Sequence, residues 1–442
     1  MKITFIVPAI GKKPEQKYIG TWKMEPLTYG TLSALTPNEI EIDLYDDRIE
    51  LIDYDIDTDL VVLSVETYTA KRAYAIAQRF RERQIPVVLG GYHVTLCPEE
   101  ASLYSDCIVI GNAEGVWEQL LSDLKLGQLQ KAYQGQAFYQ RKCVDRSLYQ
   151  GKKYLPITLV ETGRGCCHDC DFCAITHYYH TYHKRDIDLI IGDLAASPHK
   201  HVFLVDDNLM ADKANAKALF KAMIPLGIKW AGQGTLAMAK DPELLNLMKK
   251  SGCELMLIGF ESLEQDNLKQ MNKSFNLTLG EQNELVKRIH DAGIGIYATF
   301  VFGYDHDTLA TIENTVRFAK KHNFYTAAFN HLLPFPGTPL YTRLLEQKRL
   351  IYDKWWLADD YTYGELAFVP KLMPAERLST MCRQARKEFA SFPTVLKRGL
   401  HAMQRSSPLM WGVFWAMNLR LGEEIDEKMN VPLGRNLDEF PK

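Results

Sequence analysis

Short apolar runs recur along this chain in two series, most followed by helix-period sequence, and that alternation points to folds built on parallel sheets. In the first series the candidate strands are residues 3–8, 40–45, 60–65, 86–89 and 107–110. Between the third and fourth, residues 69–83 carry Ala70, Ala73, Ile76, Ala77 and Phe80 at helical spacing. A Rossmann-like, doubly wound α/β domain is expected over residues 1–125. Ligands of such sheets sit beyond the carboxyl ends of the strands. There the chain reads Ser64-Val-Glu66-Thr67, Gly90-Gly91-Tyr-His93-Val-Thr95 and Gly111-Asn-Ala-Glu114, without a Gly-x-Gly-x-x-Gly nicotinamide fingerprint. The glycines are expected to leave flat space for a large planar ligand, with Ser64 and Thr95 bonding its periphery.

Residues 126–154, rich in Gln, Lys and Tyr with weak periodicity, read as a linker. The second series has candidate strands at 157–161, 201–205, 229–232, 255–259, 294–302 and 327–333, with helical patterns at 242–251, 277–292 and 308–322. Six such units over residues 155–338 predict a partial (β/α)6 barrel, whose catalytic groups gather at the carboxyl ends of its strands. Residues 339–442 read as a mainly helical region that caps the barrel mouth and helps choose the substrate. Its Trp355, Trp356, Tyr361 and Tyr363 either line an apolar pocket or form core at a domain junction. Residues 394–420 mix Lys397, Arg398, Arg405 and Arg420 with Leu400, Met403, Leu409, Trp411, Phe414 and Trp415. That mixture fits either a segment lying on a membrane surface or an amphipathic helix packed on the barrel.

Just after the first barrel strand the chain reads Glu161-Thr-Gly-Arg-Gly-Cys166-Cys-His-Asp-Cys170-Asp-Phe-Cys173. Four of the nine cysteines fall in this one stretch and the others are scattered, which favours metal binding over disulfides. Cys166, Cys170 and Cys173, spaced Cys-x3-Cys-x2-Cys, suit three irons of a four-iron cubane and leave the fourth iron open to an exogenous ligand. Gly163 and Gly165 allow a sharp turn there, and Phe172 is placed to shield one face of the cluster. Cys167 and Cys170 also read as half of a zinc site or as a redox dithiol, but no second Cys or His pair follows at finger spacing. Cys167-x2-Cys170-x2-Cys173 is present as well, so Cys167 competes with Cys166 as first ligand.

On these residues the chain resembles the radical S-adenosylmethionine superfamily, and over residues 1–380 its cobalamin-binding-domain members. Val88-Leu-Gly-Gly-Tyr-His-Val-Thr-Leu-Cys-Pro-Glu-Glu100 and Leu332-Leu-Pro-Phe-Pro-Gly-Thr-Pro-Leu340 carry that second likeness. By spacing, the resemblance favours Cys166 over Cys167. It implies a 4Fe-4S cluster whose open iron is chelated by S-adenosylmethionine. It also implies a donor such as flavodoxin or ferredoxin, whose electron cleaves the S–C5′ bond to give a 5′-deoxyadenosyl radical. The same resemblance implies that Asp207, in Val205-Asp206-Asp207-Asn208, binds the methionine end. Glu261, in Gly259-Phe260-Glu261-Ser262, would face the ribose or amino group, with Ser262 among the cofactor-binding residues and Lys273 in the same site. At Gly303 backbone would pass close to the adenine. Cobalamin would meet Ser64, Gly90, Gly91, Thr95 and Gly111. The Asp-x-His-x-x-Gly motif that supplies a cobalt ligand elsewhere is missing, as in many radical members, and His93 does not belong to it.

The activity implied is methylation of an unactivated carbon of a small-molecule or lipid-like substrate, with no protein side chain singled out as catalytic. The alternative is a radical cyclisation, rearrangement or group transfer without methyl transfer; a more distant one is a non-enzymatic cobalamin or metal sensor. A net charge of −3 gives no reason to expect nucleic acid. No apolar run approaches the roughly 18 residues of a membrane span, so a cytoplasmic location is expected, with peripheral membrane contact left open.

Overall fold

The computed structural model describes residues 1–135, 142–274, 279–403 and 407–438. Six parallel strands form the first sheet: β1 (Lys2–Val7), β2 (Glu41–Asp46), β3 (Leu60–Ser64), β4 (Val87–Gly90), β5 (Cys107–Ile110) and β6 (Ala132–Gln134). Their order, β2-β1-β3-β4-β5-β6, is doubly wound and reverses between β1 and β3, where such sheets place their ligand crevice. β1 and β3 are buried almost throughout because both faces are covered. The helix Ala70–Glu82 covers one face with Ala73, Ile76, Ala77 and Phe80, as its spacing predicts. β6 lies inside the stretch read as a linker and pairs with β5, extending the sheet. It escapes a sequence reading because only Tyr133 of its three residues is buried. Residues 136–141 of that stretch lie outside the described residues.

The second sheet is the expected partial barrel. After β7 (Thr158–Val160), a small antiparallel pair intervenes, β8 (Gly163–Arg164) with β9 (His183–Lys184). Then come β10 (His201–Leu204), β11 (Lys229–Gly234), β12 (Cys253–Glu261), β13 (Gly295–Phe302) and β14 (Thr326–His331). The six strands run in sequence order, β7-β10-β11-β12-β13-β14, all parallel. Along β13, Ile296, Ala298, Phe300 and Phe302 are fully buried, whereas Tyr297, Thr299 and Val301 keep partial exposure. That period of two separates the face under the helices from the face lining the lumen. The barrel helices start where the sequence signals them: Asp241 caps Pro242–Lys250 through the Leu244 N–H, and Thr308 caps Leu309–Lys321. The helix Leu279–Asp291 matches the pattern at 277–292, whose first two residues lie outside the described ones.

The carboxyl-terminal region does more than cap. Trp355, Trp356 and Tyr361 are fully buried in the core of the amino-terminal domain, while Leu366, Phe368, Leu378 and Met381 belong to the barrel core. One segment therefore fixes both sheets to each other. Tyr363, the last of the four aromatic residues, lines a cavity. The last helices, Phe392–Met403 and Pro408–Lys428, bury Val395, Arg398, Phe414 and Asn418 but leave Phe392, Leu396, Leu400, Met403, Leu409, Met417 and Leu419 exposed. Arg405 lies outside the described residues. No helix among the described residues is long and apolar enough to cross a membrane.

Arg72 and Asp47 form a bidentate pair inside the first domain, both N···O distances 2.9 Å, with side-chain exposures of 5% and 0%. Removing Asp47 leaves Arg72 with only the exposed Asp438 (2.9 Å) as its partner, so Asp47→Ala is expected to cost about 1–3 kcal/mol. A clear fall in the thermal unfolding midpoint checks this; an unchanged midpoint contradicts it.

Candidate active site

The carboxyl ends of the two sheets face each other across the site, and the cysteine loop leaves β7 into that space. Its path is set by neighbouring strand ends. Gly165 is left-handed (φ +82°), and a Cβ there would stand 2.1 Å from the Thr181 carbonyl oxygen, so the turn before Cys166 requires glycine. Buried Asp206 accepts from the Thr162 N–H (2.9 Å) and hydroxyl (2.6 Å), Asp207 accepts from the Gly165 N–H (2.9 Å), and the Asn208 amide meets Cys166 Sγ at 3.7 Å. Burial raises both carboxyls, Asp206 to about 8 and Asp207 to about 6. Asp207, expected at the methionine end of the cofactor, thus has one carboxylate oxygen engaged in shaping the cluster loop.

Between the second and third cysteines, Asp171 is buried and makes four ties. Its carboxylate accepts from the Tyr304 hydroxyl (2.5 Å) and Arg343 (2.7 Å); its N–H donates to Met271 O (3.2 Å) and its carbonyl accepts from Leu340 N (3.0 Å). Cys170 is buried, Cys166 and Cys173 are half-buried, and Cys167 is exposed. Burial raises the thiols of Cys166, Cys170 and Cys173, Cys170 to about 12, and Cys170 feels both of the others electrostatically. The three thiols lie near enough on one loop for Cys170 to feel the other two, and a metal there would have to draw off protons that burial holds on them. Among the described residues no group of three His, Cys, Asp or Glu side chains is placed to hold a single metal ion. Thiolates that bind separate irons of a cubane need no such convergence, so the residues present fit a cluster.

Further round the barrel, Glu261 ends β12 in a left-handed conformation (φ +61°) at a register break between Gly259 and Glu261. Its carboxylate pairs with Lys273 Nζ at 2.8 Å, both side chains 9% exposed, over the bare Cα of Gly259. The sequence places these residues in one site and the structure brings them together. Ser262 is buried with its hydroxyl accepting from the Glu264 N–H (3.0 Å), so it shapes the turn. Gly303 (φ +121°) meets protein where close approach to adenine was expected: a Cβ would stand 2.9 Å from Phe368 and 3.1 Å from Leu378.

Across from the cysteine loop, a cavity of about 350 Å³ lies between the domains. Ser64, Glu66, Gly91, Gly111, Asn112 and Glu114 line it from the first sheet, and Glu161, Arg164, Tyr178, Tyr179 and Arg185 from the barrel. The glycines there are required first by the protein's own packing. A Cβ on Gly91 (φ +96°) would stand 2.8 Å from the Val65 backbone, and one on Gly111 2.9 Å from Gly135 O, so it is their backbone that borders the cavity. Gly90 makes only ordinary contact with Val109. Thr95 does not line the cavity; its hydroxyl accepts from the Gly111 N–H (2.9 Å) and pins that turn. His93 is fully buried against Tyr74 and Glu100, its Nε2 3.1 Å from each, and faces away from the cavity.

Three features escape a sequence reading. Arg164 spans the cavity, 2.7 Å from Glu161, 2.6 Å from Glu114 and 3.2 Å from Asn112, and so ties the cysteine loop to the first sheet. Asp171, with Tyr304 and Arg343, fixes the cluster loop; a lone acid between two ligands is the only signal in the sequence. The third is a second cavity of about 240 Å³, bounded by Tyr68, Phe172, Val301, Asn330, His331, Phe335, Tyr363 and Arg386. Phe172 therefore shares its space with the region a substrate would occupy.

Residues 160–319 match the Radical SAM superfamily. The chain is 29% identical over 409 residues to a bacteriochlorophyllide d C-12(1)-methyltransferase of Chlorobaculum tepidum, covering 89% of this chain and 87% of that protein. It is 28% identical to the bacteriochlorophyllide d C-8(2)-methyltransferase of the same organism, covering 74% and 78%. Among solved structures, the radical S-adenosylmethionine methyltransferase TsrM from Kitasatospora setae, with cobalamin and a 4Fe-4S cluster bound, superposes with a TM-score of 0.69 at 15% identity, covering 96% of this chain and 99% of that one. The chain is a radical S-adenosylmethionine enzyme. Its whole fold, an amino-terminal parallel sheet joined to the radical barrel, is that of TsrM, and the two bacteriochlorophyllide relatives are methyltransferases.

Cys167→Ala is expected to retain about four irons per chain after anaerobic reconstitution, while Cys166→Ala, Cys170→Ala and Cys173→Ala lose the cluster absorbance. Iron loss on replacing Cys167, with iron kept on replacing Cys166, would reverse the register.

Proposed function

We propose that this enzyme methylates an unactivated carbon of a large apolar small molecule, a tetrapyrrole macrocycle, with cobalamin carrying the methyl group. The carrying observation is the cavity between the glycine-bearing ends of the first sheet and the cysteine loop, lined by polar groups of both domains. The substrate class is supported by the two bacteriochlorophyllide methyltransferases, which this chain matches over most of its length.

On this reading Cys166, Cys170 and Cys173 hold a 4Fe-4S cluster, and Asp206, Asp207, Asn208 and Asp171 hold the loop that presents it. Asp207, Glu261 and Lys273 border the S-adenosylmethionine position, with Ser262 and Gly303 shaping the strand ends behind it. Ser64, Gly91 and Gly111 would border cobalamin, with Gly90 and Thr95 supporting them from behind. When bound, these groups supply a 5′-deoxyadenosyl radical for hydrogen abstraction and a methyl group for the resulting carbon radical. The protein orients them and keeps water away: Trp355, Trp356 and Tyr361 lock the domains together and Phe172 stands between cluster loop and substrate space. A flavodoxin or ferredoxin reduces the cluster, and the reaction takes place in the cytoplasm. The exposed apolar side chains of the last two helices support peripheral contact with a membrane surface carrying such a substrate.

The test is anaerobic turnover of a chlorin with trideuteromethyl-labelled S-adenosylmethionine and a low-potential reductant. The expected product carries one trideuteromethyl group, with S-adenosylhomocysteine and 5′-deoxyadenosine formed in equal amounts. Formation of 5′-deoxyadenosine without S-adenosylhomocysteine would instead favour a cyclisation, rearrangement or other group transfer.

A further inference from the structure

The second half of the helix Ala375–Phe389 carries three cations, Arg383, Arg386 and Lys387, that the structure treats differently. Arg383 and Lys387 turn outward and both pair with Asp426, at 2.6 and 2.9 Å. Arg386 turns inward and lines the cavity beside the cluster loop. Its Nε donates to Phe329 O and one terminal nitrogen to Asn330 Oδ1, each at 2.8 Å, so the guanidinium is held in place at the carboxyl end of β14. Among the described residues no carboxylate lies within ion-pair distance of it. A guanidinium has five N–H donors in a planar fork, and these two bonds leave the rest for a ligand.

The surroundings make that charge unusual. Tyr68, Phe172, Leu332, Leu333, Phe335 and Tyr363 supply an apolar, largely aromatic wall, with the Tyr68 and Tyr363 rings 5.0 Å apart. His331, the other basic group at the cavity, is pushed down to about 4 by burial and by Arg386, so it is neutral at pH 7. Glu365 contributes its backbone to His331, while its carboxylate caps the Thr362 N–H. Glu424, the acid felt by nearby Tyr297, is engaged by Lys428 and Thr21. A fixed cation without a protein counter-ion, set in an aromatic cavity, is suited to a ligand that brings the missing anion on an apolar frame.

We propose that Arg386 is the receptor for a carboxylate on the substrate, and that the substrate's apolar body lies along Tyr68, Phe335 and Tyr363 against the cluster loop. This rests on the reading above for the place of reaction and adds a chemical requirement: the substrate is an acid, anchored at one edge so that another edge faces the cysteines. The cavity has room for part of a macrocycle, its carboxylate-bearing edge, rather than the whole.

The test is equilibrium binding, by quenching of protein fluorescence, of two acid–ester pairs to the reconstituted enzyme: pyropheophorbide a with its methyl ester, and retinoic acid with methyl retinoate. Wild-type protein is expected to bind each acid on the order of tenfold or more tighter than its ester. Arg386→Gln should abolish that preference while leaving ester affinity within about twofold, which also reports an intact cavity. An acid-to-ester ratio near unity in the wild type, which needs no variant to fold, overturns the inference. So does a preference that survives Arg386→Gln, or failure of both acids to bind. If the retinoid acid binds through Arg386 and neither chlorin binds, the carboxylate receptor stands and the tetrapyrrole reading falls.

Discussion

The structure turns on one half-buried cation shared between the two sheets. Arg164 lies three residues past Glu161 on the cysteine loop and is gripped by Glu161 from its own side and by Glu114 from the facing sheet. Two parallel sheets that meet end to end would otherwise present each other with loops and unpaired polar groups. A guanidinium shared between carboxylates of both domains gives that junction a register. The cavity and the cysteine loop inherit their relative placement from it. The aromatic block at Trp355, Trp356 and Tyr361 reinforces the same geometry from the carboxyl-terminal side by apolar burial.

A second consequence is that the barrel spends many of its strand-end polar groups on its own loop. Asp206, Asp207 and Asn208 reach the loop from β10, and Tyr304 and Arg343 reach it through Asp171. A three-cysteine loop of little regular structure is thereby held by bonds from several elements, as a site that must keep three thiolates in a fixed array requires. Burial lifts the three thiols and the neighbouring Asp206 in the same direction, so thiolate ligation there would be coupled to proton release.

Much of this was legible in the sequence for identifiable reasons. Period-two and period-3.6 patterns located the major strands of both sheets because parallel strands buried on two faces read as continuous apolar runs. The cysteine spacing and the Gly259–Ser262 and Val205–Asn208 runs lie at the strand ends where a barrel keeps its chemistry. What stayed hidden depends on contacts far apart in sequence. β6 has too little burial to show a pattern. Glycines look alike in a sequence whether they make room for a ligand or for protein, and Gly91 and Gly111 make room for neighbouring backbone while Gly303 makes room for the Phe368 and Leu378 side chains. The hydroxyls of Thr95 and Ser262, read as cofactor contacts, also accept from backbone N–H groups at turns, which a sequence does not show. Arg386 looks like any of the basic residues on its helix until packing shows that its neighbours share Asp426 and it does not.

The central claim is that the cavity between the sheets and the cysteine loop beside it hold two cofactors in one chain. Metal analysis of protein purified anaerobically with cobalamin supplied tests this most directly. About four irons and about one cobalt per chain are expected. About four irons with no cobalt would leave a radical enzyme whose amino-terminal domain serves another purpose, and would contradict the account of the cavity.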